Sequence, residues 1–224
     1  MRATTHIINN LLYVSPTRQL LYVTDTTYPT YEHRGRPSHI FEHLSCFLPG
    51  LLALGAHTLP LDNLSSMGIN LADLGGHGQF GDASQGYERL AKYNLRDLHM
   101  WAAEGLAETC YITYADMPTG LGPDEVMFKT SDSRGFGKQQ DGTWLNGGGE
   151  LWIDAVDTWK RRGRGMVPGT GDKKKKIYSE KERLTGSGTG RDYTVKKSAY
   201  LLRPEVCSQC LLLRTIAHYF AVDG

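Results

Sequence analysis

Apolar residues recur at helical spacing from Ser38 to Gly55 and predict a first long helix. Ser38 offers an N-cap for this helix. Pro49 lies inside the pattern, where it removes a backbone hydrogen bond and is expected to kink the helix. The segment is apolar on nearly all sides, so we expect it to be buried.

The same spacing returns at Leu95 and predicts a second helix of about five turns. Its apolar face is traced by Leu95, Leu98, Ala102, Leu106, Cys110 and Thr113. Two long helices with apolar faces favour an all-α packing.

Near the N-terminus, a β-rich pattern replaces the helical one. The runs from Ile7 to Val14 and from Gln19 to Asp25 are joined by Ser15-Pro16-Thr17-Arg18, whose proline suits the second position of a tight turn. This pattern predicts a β-hairpin.

Glycine, serine and lysine dominate much of the chain from Lys129 to Tyr200. Within it, residues 151–159 predict a short helix. Because this composition buries little apolar surface, we interpret the region of about 129–200 as a mobile surface insertion that the core does not need.

The charge is unevenly distributed over the 224 residues. Lys129 to Arg203 carry 17 basic and 9 acidic residues, whereas the rest carries 8 and 15. The basic residues are not interleaved with stacking aromatics, which argues against a nucleic-acid partner. No run of 18 apolar residues predicts a membrane segment, and no signal peptide is recognisable.

Four cysteines divide into two kinds. Cys207 and Cys210 form a single C-x-x-C pair, which is weak support for zinc or redox chemistry without a second pair or a βαβ pattern. Cys46 and Cys110 instead fall on the apolar stripes of the two predicted helices.

Two carboxylates stand directly after prolines that end a segment, Glu205 in LLRPE and Asp124 in GLGPDEV. Paired carboxyl groups of this kind break glycosidic bonds, one protonating the leaving oxygen and the other activating water or attacking the sugar. An acidic residue after proline is also typical of a helix start, where it meets the helix dipole. The residues alone leave both interpretations open, a catalytic carboxylate or a carboxylate at a helix start.

Four motifs occur together in one order: EHLSCFLPGLLALGA, AEGLAETCYITY, PTGLGPDEV and SAYLLRPE. With them the chain resembles glycoside hydrolase family 47, the class I α-1,2-mannosidases. The resemblance implies an (α/α)7 barrel, of which residues 1–224 would form a single partial catalytic domain carrying a β-hairpin and the insertion.

The resemblance also implies roles for individual residues. Glu205 matches the family's general base, and Arg203 lies beside it in the sugar pocket. Asp124 matches a carboxylate that has been assigned as a proton donor, or Glu125 does if one residue is inserted. His43 matches a histidine that contacts the sugar, although a buried histidine bonded to backbone is the alternative.

Calcium is the cofactor that the family implies. The chain departs from the family at Ser208, where a second Glu is expected, and the segment with the calcium-binding threonine is absent. Calcium prefers six to eight oxygen ligands, and we therefore assign no metal ligand in this chain.

The resemblance implies inverting hydrolysis of α-1,2-linked mannose from high-mannose N-glycans in the endoplasmic reticulum or Golgi. The alternatives are a non-catalytic mannose-glycan binding or quality-control protein, or an inactive fragment. A targeting segment for this location would have to precede Met1. The family's own bridge implies a disulfide between Cys46 and Cys110, with two buried free thiols as the alternative.

Overall fold

The computed structural model describes residues 1–27, 36–71, 87–129, 149–170 and 191–199. Four α-helices lie in this part of the chain: α1 Arg2–Asn10, α2 Leu48–Thr58, α3 Leu95–Ala115 and α4 Trp152–Arg162. Three short 3-10 helices accompany them: His43–Phe47, Leu64–Met67 and Glu88–Lys92. The second predicted helix is thereby confirmed as α3, and the short helix expected at 151–159 is confirmed as α4.

Short antiparallel strands complete the described part. They are β1 Leu12–Val14, β2 Leu21–Val23, β3 Thr26–Thr27, β4 Arg36–Pro37, β5 Ile40–Glu42, β6 Glu125–Phe128, β7 Glu150–Leu151 and β8 Tyr193–Lys197. They form sheets in the orders β2-β1-β7, β3-β4 and β5-β6-β8. An all-α description therefore covers only part of the structure, because three small sheets accompany the helices.

The β-hairpin is confirmed, with Tyr13 opposite Tyr22 in the β1–β2 register. Its first strand is shorter than predicted, because residues 2–10 form helix α1 rather than the start of a strand. Thr5, Ile8 and Asn9 are buried at helical spacing on one face of α1. Packing of this face outweighs the strand preference of the β-branched residues.

The first predicted long helix is wrong over its first half, up to residue 47. Ser38 is not its N-cap, since residues 40–42 form strand β5 and residues 43–47 a 3-10 helix before α2 begins. Pro49 lies in the first turn of α2, where a missing N–H costs no hydrogen bond, so it starts the helix rather than kinking it.

Helix α2 packs against α3 on one side only within the described residues. Leu52 and Ala53 are fully buried, whereas Leu51 is 58% exposed and Leu54 46% exposed. The prediction that this helix is buried is thus wrong for one of its faces.

Aromatic side chains join the hairpin to the β5-β6-β8 sheet. The rings of Tyr22 and Phe128 are stacked with their centroids 3.9 Å apart, and Phe41 and Tyr193 pack edge-on against Phe128. Offset and edge-on aromatic pairs are favourable beyond the area that they bury. This cluster fixes the sheet against the core.

The predicted surface insertion contains core elements. Trp152, Ile153 and Val156 on α4 are fully buried, and Tyr193 on β8 is 1% exposed. Strand β7 pairs with β1 and strand β8 with β6. Helix α4 and the start of β8 therefore contribute to the core, contrary to the expectation of a dispensable insertion.

No helix in the described part of the chain is long and apolar enough to cross a membrane.

Candidate active site

Strands β5, β6 and β8 bring three charged residues to one end of their sheet. Glu42 stands opposite Glu125 in the β5–β6 register, and Glu125 stands opposite Lys197 in the β6–β8 register. The three residues come from parts of the chain far apart in sequence, so the sheet creates this charged end.

Asp124 lies immediately before β6 at the same end. Its side chain is only 8% exposed, and its Oδ2 atom is 2.5 Å from the Lys197 Nζ atom. Lys197 also lies 3.6 Å from a Glu125 carboxylate oxygen. The hydrogen bond to Asp124 and the charges of both carboxylates raise the pKa of Lys197. Lys197 therefore links the two acidic residues at this end of the sheet.

His43 is placed beside Asp124 through the backbone. Its N–H donates to the Asp124 carbonyl oxygen over 2.8 Å. The residue is 4% exposed, and its Nε2 atom is hydrogen-bonded to the Tyr114 hydroxyl. The residue is thus buried and bound to backbone, as in the alternative interpretation, and its ring is in addition bound to another side chain.

Gly122 makes room for the ring of Tyr114. A Cβ atom at Gly122 would lie 2.5 Å from a carbon of that ring, closer than van der Waals contact permits. Because Gly122, within the segment PTGLGP, has no side chain, Tyr114 can pack on the backbone there and reach His43.

The predicted disulfide between Cys46 and Cys110 is confirmed. Their Cα atoms are 5.9 Å apart, within the range that a bridge requires. Cys46 follows His43 by one turn of the 3-10 helix, and Tyr114 follows Cys110 by one turn of α3. The bridge therefore joins the two elements that carry the hydrogen-bonded pair of His43 and Tyr114.

Of the predicted site residues, the structure brings together Asp124, Glu125 and His43. Arg203 and Glu205 lie outside the described residues, as do Cys207, Ser208 and Cys210. They follow β8, with Glu205 eight positions after Lys197. Their roles remain predictions.

The described residues do not fit a calcium site. They include no group of three or more His, Cys, Asp or Glu side chains able to hold a metal ion, whereas calcium prefers six to eight oxygen ligands. Calcium therefore remains an implication of the family.

A concave region lies elsewhere, between α4 and the 3-10 helix at residues 88–92. It has a volume of about 600 Å³ and is lined by Arg89, Tyr93, Asp157 and neighbouring residues. Its charged groups largely bind one another, with Arg89 and Lys92 both on Asp157. This region contains none of the predicted site residues.

Sequence reasoning missed Tyr114, Gly122 and Lys197. Tyr114 could have been found, because it lies one helical turn beyond Cys110 in a segment already predicted to be helical. Lys197 could not, because its place beside Asp124 depends on the long-range pairing of β6 with β8.

Asp124, Glu125, His43 and Lys197 thus lie together at one end of the β5-β6-β8 sheet. A sequence profile of glycosyl hydrolase family 47 matches residues 1–216. The chain belongs to this family.

Curated relatives are similar over about half of the chain. The endoplasmic reticulum mannosyl-oligosaccharide 1,2-alpha-mannosidase of Saccharomyces cerevisiae is 28% identical over 123 residues, which are 55% of this chain and 18% of that protein. Mannosyl-oligosaccharide 1,2-alpha-mannosidase MNS3 of Arabidopsis thaliana is 35% identical over 102 residues, 46% of this chain and 13% of that protein.

The Rattus norvegicus endoplasmic reticulum mannosyl-oligosaccharide 1,2-alpha-mannosidase is 32% identical over 128 residues, 57% of this chain and 13% of that protein. The chain thus spans less than a fifth of the length of these relatives. No solved structure gives a significant match.

Proposed function

We propose that this chain represents part of a mannosyl-oligosaccharide 1,2-α-mannosidase that removes α-1,2-linked mannose from high-mannose N-glycans with inversion. The observation that carries the proposal is the joint placement of His43 and Asp124 beside the Cys46–Cys110 bridge. These residues come from three of the motifs that resemble the family, and the fold gathers them at one place.

In this proposal, Glu205 is the general base that takes a proton from the attacking water. Arg203 binds the sugar beside it, and His43 contacts a sugar hydroxyl from the buried side. Asp124 also faces the sugar. A second carboxyl group must protonate the leaving oxygen, as in other inverting glycosidases.

The architecture that we propose for the complete domain is the (α/α)7 barrel. Leu51 and Leu54 support it, because they leave an apolar face of α2 open to water where a further helix can pack. The relatives named for the endoplasmic reticulum support a location in the secretory pathway. The Cys46–Cys110 bridge supports the same location, since disulfides persist in oxidising compartments.

Mannose release from a high-mannose N-glycan, followed by mass spectrometry, tests this function. We expect release by the complete protein that contains this chain and a loss of at least about 100-fold when it carries Glu205→Gln, because the amide cannot accept the proton from water. Glu150→Gln is the control, since Glu150 lies exposed on β7. Equal release by Glu205→Gln and the unaltered protein would contradict the assignment of the base.

A non-catalytic mannose-glycan binding protein is the second candidate. Ser208 favours it, because this residue stands where the family is expected to have a second Glu. Glycan binding without any mannose release by the complete protein would select this candidate.

A further inference from the structure

Asp124 and Lys197 form an ion pair whose two partners differ in their contact with water. The Asp124 side chain is 8% exposed, and that of Lys197 is 53% exposed. A carboxylate with so little hydration depends on neighbouring groups to keep its charge. Lys197 supplies that support from the solvent side, at 2.5 Å.

We propose that Lys197 is a positioning residue that keeps Asp124 ionised and fixed, so that Asp124 accepts hydrogen bonds from sugar hydroxyls and does not protonate the leaving oxygen. This inference rests on the proposed function and specifies the state of one carboxylate in the same site. An ionised carboxylate is a hydrogen-bond acceptor only. A general acid must instead hold a proton at the working pH.

The ionisable neighbours of Asp124 on the adjoining elements make the lysine important. Glu125 follows it in sequence, and Glu42 stands opposite Glu125. His43 donates its backbone N–H to the Asp124 carbonyl and directs its ring to Tyr114. The adjacent carboxylate of Glu125 favours protonation of Asp124, whereas the ammonium group of Lys197, bound to both, favours the charged form. Removing Lys197 therefore leaves the acidic group without that cation.

An irregular pairing between β6 and β8 places Lys197 beside Asp124. Val126 pairs with Val195, but Glu125 pairs with Lys197, so one extra residue, Lys196, lies between the paired positions. A bulge of this kind redirects the side chains next to it. The register shift thus turns Lys197 toward Asp124 at the end of the sheet.

The protonation of Asp124 tests the ion pair without any substrate. The side-chain carboxyl signal of Asp124 would be followed by carbon NMR against pH in the unaltered chain, Lys197→Met, Lys197→Arg and Lys196→Met. We expect the midpoint to rise by about one pH unit or more in Lys197→Met and to return most of the way in Lys197→Arg. Lys196→Met, the matched control on the same strand, should leave it nearly unchanged. An unchanged midpoint in Lys197→Met overturns the proposal.

Binding of methyl α-D-mannopyranoside to the same proteins tests the acceptor role. We expect Asp124→Asn to weaken binding at least about tenfold, because the amide lacks the charge. Affinity should also fall as Asp124 becomes protonated, and Lys197→Met should move this fall to higher pH by the shift seen in the NMR titration. A lysine with a purely structural role would leave the pH profile in place.

The outcomes separate the two claims. Asp124→Asn binding as tightly as the unaltered chain overturns the acceptor role and leaves the proposed function standing. An unaltered chain that binds no mannoside overturns the acceptor role together with the proposed function.

Discussion

Strand β8 has an ion pair at each end, and the two pairs differ in their burial. At its start, Asp192 binds Arg18, which also binds Asp116, and all three residues are at most 4% exposed. At its end, Lys197 is half-exposed and reaches Asp124 from the solvent side. The first pair is closed to water, whereas the second is in contact with water through Lys197.

The closed cluster satisfies its polar groups internally. The Arg18 guanidinium donates to both carboxylates, and the Tyr193 hydroxyl donates to Asp116 over 2.7 Å. Ser15 adds a further hydrogen bond to Asp192. Such a network holds the hairpin turn, the end of α3 and the start of β8 together. One end of β8 therefore belongs to a structural cluster, and the other end belongs to the candidate site.

The largest effect is expected from breaking the closed cluster. Arg18→Met should lower the free energy of unfolding by about 3–5 kcal/mol, because it leaves two buried carboxylates without their cation. Urea denaturation followed by circular dichroism measures this loss. Lys197→Met is the comparison, and its loss of stability should be clearly smaller, because Lys197 is half-exposed and its removal takes only one partner from one buried carboxylate. Equal losses in the two variants would contradict the distinction between the ends.

Removing the disulfide between Cys46 and Cys110 should have a smaller but clear effect on the free energy of unfolding. Cys46→Ser combined with Cys110→Ser should lower the free energy of unfolding by about 2–4 kcal/mol, because the unfolded chain regains the freedom of a long loop. Thermal denaturation with and without reductant checks this expectation, since the unaltered chain in reductant should match the double variant. A melting temperature that is insensitive to reductant would show that the bridge contributes nothing.

Alkaline pH should lower the free energy of unfolding gradually, through Tyr193, which belongs to the buried cluster of Arg18. Burial raises the pKa of Tyr193, and the neighbouring Asp116 raises it further. Above about pH 10, where tyrosine ionises in the unfolded chain, the folded state retains a proton that the unfolded state has lost. Tyr193 should therefore contribute a loss of stability of about 1.4 kcal/mol per pH unit above that value. This loss comes in addition to the losses from Tyr22 and Tyr93, whose pKa values are also raised.

Urea denaturation between pH 9 and 11 measures this slope, and Tyr193→Phe should make it shallower. The same slope in both proteins would exclude Tyr193 as one of its sources.

The parts of the fold that were predictable are those set by local pattern. The spacing of Leu95, Leu98 and Ala102 identified α3, because a helix repeats within a few residues. The turn at Ser15–Arg18 identified the hairpin through its proline. The bridge between Cys46 and Cys110 followed from the family resemblance, and the structure agrees with it.

The parts that could not be predicted depend on distant segments. Strand β8 lies in a polar, lysine-rich sequence and becomes part of the core because Tyr193 packs on Phe128. Helix α1 contains β-branched residues and is helical because one of its faces is buried. Lys197 meets Asp124 only through the register of the sheet. No local pattern encodes these pairings.

The position of the Cys46–Cys110 bridge has a consequence for how the protein matures. His43 and Tyr114 approach each other from elements that the bridge joins one turn away. In a newly made chain that has not yet been oxidised, this contact depends on packing alone. Oxidation of the two thiols would then be the step in biosynthesis that locks the contact between His43 and Tyr114.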